Sequence, residues 1–257
     1  SDNKGRGLSL NSYDAAKPSI LKAEAENLSI KGSEYAIYAN DRVDAQLNAT
    51  DDINISSSNY AISVNKNTDI QLKAGQNLNI LSDTWGIVSF DSIVNAQAEK
   101  AINIKGTVWT SGGNIIVGKD SSTLQTVVNG DLTAKNNGYI AAFINNAGSS
   151  FTGNTNDAHW QDVNTRDAGN KGIHLTLNDG SVWNDFDYNS TIQVLDTSKA
   201  KVDMQDDKFK GLFIGTLKGD KSTFNMDIDA GKNTDNSDRI FIAGTHTGNH
   251  YITLNNV

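Results

Sequence analysis

The stretch NLSIKGSEYAIYAN at residues 27–40 returns as DINISSSNYAISVN at 52–65 and as NLNILSDTWGIVSF at 77–90. Each copy begins 25 residues after the one before it, and its apolar letters stay in place while its polar letters vary. The apolar positions form two columns, Leu28, Ile53, Leu78 and Ile102, and then Ile30, Ile55, Ile80 and Ile104. Upstream of them, Leu47 and Ala49, Leu72 and Ala74, and Ala96 and Ala98 repeat in the same way.

Each repeat contains three short stretches in which apolar and polar letters alternate, separated by polar breaks. Alternation with a period of two puts the apolar side chains of a strand on one face. Three strands and three turns in about 25 residues form one coil of a parallel β-helix, whose coils stack about 4.8 Å apart. Propeller blades need about 40 residues and leucine-rich repeats need a fixed Leu and Asn pattern, so neither fits. The sequence therefore predicts an all-β solenoid.

Five residues after each isoleucine of the second column comes an aromatic residue, and these residues form the series Tyr35, Tyr60, Trp85 and Trp109. Rings that face outward would form a stacked strip suited to sugar rings, because aromatic faces bind the apolar faces of saccharides. The isoleucines two residues later, with Ser111 breaking their series, have the same parity as the aromatic residues. This shared parity predicts that the rings point into the core.

Polar residues form two further columns, which we expect on the outer surface. Ser29, Asn54, Asn79 and Asn103 lie between inward apolar residues, and Asn27, Asp52 and Asn77 precede them. Stacked Asn side chains can hydrogen-bond along the axis, and this structural role is the favoured interpretation. The candidate outer-face binding ladder consists of the same polar positions, namely Ser29, Asn54, Asn79, Asn103, Asp52 and Asn77.

Composition excludes several functions. The 257 residues carry 22 Lys and Arg against 30 Asp and Glu, a net charge of −8, which argues against a nucleic-acid partner. The chain has no cysteine, so it forms no disulfide and no thiolate metal site. The longest apolar run, YIAAFI at 139–144, is too short to span a bilayer.

No motif for catalysis is present. None of the four histidines is accompanied by a Gly-x-Ser-x-Gly elbow. His246 and His250 are separated by a predicted turn, and an H-x-x-x-H metal pair requires a helix. Asp157, His159, Trp160 and Asp162 lie in an irregular insertion, interpreted as a solvated loop, with a binding protrusion as the alternative. We therefore predict no enzyme, no metal site and no cofactor.

The pattern changes after about residue 120, where short strands alternate with Gly, Asn and Asp turns. The segments LTLNDGSVW (175–183), LKGDKSTFNMDID (217–229) and SDRIFIAGTHTGNHYITLNN (237–256) follow one another in a specific order. With VNGDLTAKN and SSFTG upstream, they resemble the C-terminal part of the passenger domain in pertactin-like autotransporters of Gram-negative bacteria. The resemblance covers about residues 120–257 by motif, and the protease and esterase motifs of some family members are missing.

The resemblance implies a right-handed parallel β-helix with a C-terminal β cap on the outer surface of a bacterium. Residues 1–172 would be passenger coils, and residues 173–257 would be C-terminal coils and an autochaperone-like cap that folds first. Export would use an outer-membrane β-barrel translocator. The implied function is adhesion without catalysis, with a host surface protein or glycan, or another copy of the passenger on a neighbouring cell, as partner. The alternative is a structural stalk and autochaperone segment that presents a functional region lying before residue 1.

Overall fold

The computed structural model describes residues 5–12, 17–161, 171–184, 187–206, 208–230 and 236–257. The regular structure of these residues is β-strand throughout, without a helix. The strands are β1 (Arg6–Asn11), β2 (Ser19–Ala25), β3 (Leu28–Gly32), β4 (Tyr35–Asn40), β5 (Val43–Ala49), β6 (Ile53–Ser57), β7 (Tyr60–Asn65), β8 (Asp69–Ala74), β9 (Asn77–Phe90), β10 (Ile93–Ala98), β11 (Ala101–Ser111), β12 (Asn114–Val117), β13 (Gln125–Asn129), β14 (Leu132–Lys135), β15 (Tyr139–Asn145), β16 (Ser150–Thr152), β17 (Thr155–Asp157), β18 (Gly172–Asn178), β19 (Val182–Asn184), β20 (Ser190–Ser198), β21 (Lys201–Asp203), β22 (Gly211–Lys218), β23 (Thr223–Ile228), β24 (Arg239–Ile242) and β25 (Tyr251–Asn256).

The strands stack into a right-handed parallel β-helix of about nine turns. Face 1 consists of β2, β5, β8, β10, β12, β15, β18, β20, β22 and β24 in parallel order. Face 2 consists of β3, β6, the first halves of β9 and β11, and then β13, β16, β19, β21, β23 and β25. Face 3 consists of β1, β4, β7, the second halves of β9 and β11, and then β14 and β17.

The register confirms the predicted repeat. On face 2, Leu28 pairs with Ile53, Ile53 with Leu78, and Leu78 with Ile102. On face 1, Leu47 pairs with Leu72, which pairs with Ala96. From Ile53 onward these side chains are fully buried in one continuous core. Each buried aliphatic side chain of this size stabilises the fold by roughly 1.5–3 kcal/mol, so the inward letters are constrained while the outward letters are free to vary.

The three-strand coil holds only for part of the chain. Face 3 ends at β17, and the coils from β18 to β25 contain two strands each within the described residues. The change occurs near the predicted boundary between residues 172 and 173, but the division of the chain into two units stays a prediction.

The described residues do not include a C-terminal β cap. Ile252 and Leu254 of β25 pair with Phe224 and Met226 of β23, whose side chains are buried in the core. Ile252 and Leu254 are nevertheless 62% and 57% exposed, because no strand of the described residues pairs with β25 on its other side. The cap thus does not appear where the resemblance implied it. The described part of the chain has no helix that is long and apolar enough to cross a membrane.

Candidate functional site

The aromatic residues at the corner between faces 2 and 3 do not lie in the core. Tyr35, Tyr60 and Trp85 are half-buried, and the core contains none of their rings. The prediction that they point inward is therefore wrong. The reason is that strict alternation stops at the corner, where Ala36 and Ile37 are consecutive and both fully buried.

The same departure recurs in the next two coils. Ala61 and Ile62 are both fully buried, and Gly86 and Ile87 are buried likewise. A small residue at the inner side of each corner allows the chain to turn without displacing the core. The aromatic residue before it consequently points outward, although it has the parity of the isoleucine.

The outward rings stack along the solenoid axis. The ring centroids of Tyr35 and Tyr60 are 4.9 Å apart with an interplanar angle of 11°, and those of Tyr60 and Trp85 are 6.1 Å apart with an angle of 6°. At the N-terminal end, the Arg6 guanidinium lies 5.5 Å from the Tyr35 ring centroid and 4.1 Å from that of Tyr38. These cation–π contacts hold the first rings in place.

Trp109 does not continue this stack, contrary to the predicted series. The corner within β11 is shorter than the corner within β9, so that Thr107 pairs with Trp85, and Trp109 pairs with Val88. Val108, and not Ser111, therefore takes the core position of Ile87. The Trp109 ring packs instead against Phe90, with 4.7 Å between the ring centroids.

These side chains form an open groove on face 3, which we name the aromatic groove. It has a volume of about 370 Å³ and is lined by Tyr35, Tyr38, Tyr60, Ser63, Asn65, Trp85, Val88, Phe90 and Trp109. One outward column of face 3 reads Tyr38, Ser63, Val88 and Trp109 along the axis. Because two small residues lie between two large aromatic ones, the groove is a notch two coils long.

The chemistry of the aromatic groove is apolar and neutral. None of its lining residues carries a formal charge at neutral pH. Its hydrogen-bonding groups are phenol hydroxyls, indole N–H groups, the Ser63 hydroxyl and the Asn65 amide. Burial, and next the charge of Glu34, raise the pKa of the Tyr35 phenol.

The predicted polar ladders do form, and their members bond to one another. Asn79 Nδ2 donates to Asn54 Oδ1, and Asn103 Nδ2 donates to Asn79 Oδ1, each at 2.8 Å. Ser29 precedes Asn54 in this column. The expected hydrogen bonds between stacked Asn side chains are therefore present.

A second ladder runs along the edge of face 2. The Asp52 backbone N–H donates to Asn27 Oδ1 at 3.3 Å, and the Asn77 amide donates to Asp52 Oδ1 at 2.9 Å. The bonded amides of the two ladders have fewer donors and acceptors left for a partner. A binding role for the ladders stays a prediction.

The insertion after residue 154 contains a buried carboxylate. Asp157 is 2% exposed and accepts hydrogen bonds from the backbone N–H groups of His159 at 2.8 Å, Ile173 at 2.6 Å and Gln193 at 2.8 Å. Burial raises its pKa, and the backbone donors oppose this shift. Interpreting Asp157 as part of a solvated loop was therefore wrong, because the side chain joins β17 to two neighbouring strands.

The other members of that cluster lie apart from it. Trp160 packs on Phe213, with ring centroids 5.3 Å apart, and His159 Nε2 accepts from the Asn137 backbone N–H at 3.0 Å. Asp162 lies outside the described residues. No group of three or more His, Asp or Glu side chains in the described part of the chain is placed to hold a metal ion.

Sequence reasoning identified four of the groove residues, Tyr35, Tyr60, Trp85 and Trp109, but predicted that their rings point into the core. It missed the floor of the groove altogether. The available signal was the column Tyr38, Ser63 and Val88, spaced 25 residues apart, in which a large side chain is followed by two smaller ones. No family model matches the chain, and no curated protein and no solved structure matches it either.

Proposed function

We propose that this chain is part of a bacterial surface adhesin, which binds its partner through the outer face of the β-helix and has no catalytic activity. The aromatic groove is the single observation that carries the proposal. A cluster of aromatic rings lining an open groove on a regular scaffold is typical of a contact surface. The partner is a host surface protein or glycan, or another copy of the chain on a neighbouring cell.

The chemistry of the groove favours binding over catalysis. Its lining contains no carboxylate, imidazole or amine, so it offers no ordinary general acid or base beside a reacting atom. The polar ladders bond along the axis and stiffen the scaffold beside the groove. A rigid surface loses little entropy on binding and suits repeated weak contacts between cells.

The location of the protein rests on its sequence. The motifs between residues 120 and 257 resemble the autotransporter passenger, and we propose export through an outer-membrane β-barrel translocator to the bacterial surface. A cysteine-free chain suits this route, because no disulfide can lock it before it has crossed the membrane.

Bead assays test adhesion directly. Beads coated with the purified chain are expected to cluster with one another or to bind host cells, and uncoated beads are the control. If charged groups contribute, added salt weakens the attachment. Coated beads that neither cluster nor attach to any host cell or matrix protein would disprove the adhesin function of these residues.

A stalk and autochaperone segment is the second candidate. It is favoured by the fully buried Trp183, which packs on Phe151 of the preceding coil, since a large buried ring suits a segment that folds first and templates the coil before it. Pulsed hydrogen exchange during refolding of the whole chain measures the order of folding. This candidate requires protection of β18–β23 before β4–β9, and the reverse order excludes it.

A further inference from the structure

The hydrogen-bonding groups of the aromatic groove have no partner within the protein. Among the described residues, the Ser63 hydroxyl, the Asn65 amide and the Tyr38 and Tyr60 phenols make no side-chain hydrogen bond. The Asn54, Asn79 and Asn103 amides on the adjacent face are bonded to one another. The groove is thus the part of these coils where neutral donors and acceptors stand free beside aromatic rings.

The backbone of the groove is closed to a peptide strand. β7 pairs with β4 on one side and with β9 on the other, and β9 pairs with β11. An extended peptide binds a sheet by pairing with a free edge, and the groove has none. A ligand must therefore be recognised by the side chains alone, through ring faces and neutral hydrogen bonds.

The charge and shape of the groove restrict the class of ligand that it can bind. The lining carries no formal charge, and the Arg6 guanidinium beside it already packs on the Tyr35 and Tyr38 rings, so the notch itself offers no charge that would offset the cost of desolvating a charged ligand. The notch above Ser63 and Val88 is closed at its ends by Tyr38 and Trp109. Phe90 is 43% exposed beside Trp109 and offers a flat apolar surface.

We propose that the aromatic groove binds a neutral oligosaccharide. A pyranose ring presents an apolar C–H face, which packs on Phe90 and Trp109, and a rim of hydroxyls, which bond to Ser63, Asn65 and the Tyr60 phenol. The stacked edges of Tyr35, Tyr60 and Trp85 form the wall along which the sugar chain lies. This inference rests on the proposed adhesin function and names the ligand class of its contact surface.

An oligosaccharide array tests the proposal, with the purified chain applied to neutral hexose and N-acetylhexosamine glycans and to their sialylated and sulfated counterparts. Binding to neutral glycans is expected, and titration calorimetry with the best of them then compares two variants. Phe90→Ala removes the exposed ring, and Ser63→Tyr fills the notch with the residue that the preceding coil already carries at Tyr38. Each variant is expected to weaken binding about tenfold, Phe90→Ala because it removes a ring face on which the sugar packs, and Ser63→Tyr because the new ring occupies the space of the sugar.

Tyr251→Ala is the matched control, because it removes an exposed aromatic ring far from the groove. It should leave the affinity unchanged, and circular dichroism should show all variants folded. The proposal is overturned if no neutral glycan binds, if acidic glycans bind more tightly, or if folded Phe90→Ala and Ser63→Tyr proteins bind normally. Beads that still adhere in that case would leave the adhesin function standing, whereas beads that never adhere would remove both.

Discussion

The regular coils between Leu28 and Ser111 and the later coils between Ser150 and Ile228 are held together differently. In the regular coils the core consists of aliphatic columns, and the buried polar side chains are Ser and Thr hydroxyls. In the later coils the core includes Phe151 packed against Trp183, with ring centroids 5.3 Å apart and an interplanar angle of 38°. Their buried polar groups include the carboxylates of Asp157 and Asp227.

This difference concerns where the stability resides. In a solenoid each coil contacts only its neighbours, so identical columns distribute the stabilising free energy evenly among the regular coils. Their outer positions are then free to carry a groove. The later coils depend more on particular side chains, because a buried carboxylate is tolerated only while its hydrogen-bond partners are in place.

Replacing the largest buried side chain should have the greatest effect. Trp183 is fully buried, and its Nε1–H donates to the Gly153 carbonyl at 2.9 Å. Trp183→Ala is expected to lower the free energy of unfolding by about 3–5 kcal/mol, because it leaves a cavity and an unpaired carbonyl. Chemical denaturation followed by hydrogen exchange measures the loss and locates it in the later coils.

Ile62→Val is the comparison in the regular coils, since the equivalent position two coils on already holds Val108. It should cost only about 0.5–1.5 kcal/mol. If Trp183→Ala costs no more than Ile62→Val, the two regions do not differ in the way described.

The buried carboxylate of Asp157 should have the next largest effect. Asp157→Ala leaves the backbone N–H groups of His159, Ile173 and Gln193 without their acceptor. Each buried donor left unpaired costs about 1–3 kcal/mol, and water that enters the space recovers part of this, so we expect a loss of about 2–3 kcal/mol. Thermal and chemical unfolding of both proteins at neutral pH measure it.

The pH dependence sharpens this prediction. Because burial raises the pKa of Asp157, the folded state holds the proton more tightly than the unfolded state. The resulting stability is complete below the ordinary pKa of an aspartate and is lost as pH rises through the raised value. Relative to Asp157→Asn, which does not titrate there, the wild type should therefore gain stability as pH falls through this window. A difference that stays constant with pH would contradict the shift.

The outer amide ladder should contribute least. Asn79→Ala removes both ladder bonds, to Asn54 and from Asn103, and Asn103→Ala removes one. Net hydrogen bonds contribute about 0.5–1.5 kcal/mol, and exposure to water places these at the low end. We expect a loss of about 1 kcal/mol for Asn79→Ala and about half of that for Asn103→Ala in urea denaturation. Equal losses would show that the bonds do not act as a ladder.

Much of the fold could be predicted because the repeat has a physical cause. The side chain at position 55 must pack on Ile80 in the next coil, so the positions of the apolar residues in the sequence show which residues pair between coils. The candidate groove could not be predicted, because parity holds only within a straight strand. At the corner, Ala36 and Ile37 both face inward, and this local departure from alternation turns Tyr35 outward.

The sequence by itself determined the coil length, the inward columns and the polar ladders, since each follows from side chains repeating at a fixed spacing. Only the tertiary structure decided which residues meet across coils wherever that spacing changes. The shorter corner of β11 moves Trp109 beside Val88, and there it closes the aromatic groove instead of extending the stack. Corner geometry depends on how the backbone turns around the core. A periodic sequence pattern predicts side-chain direction within a straight strand, but it does not predict the direction at a corner.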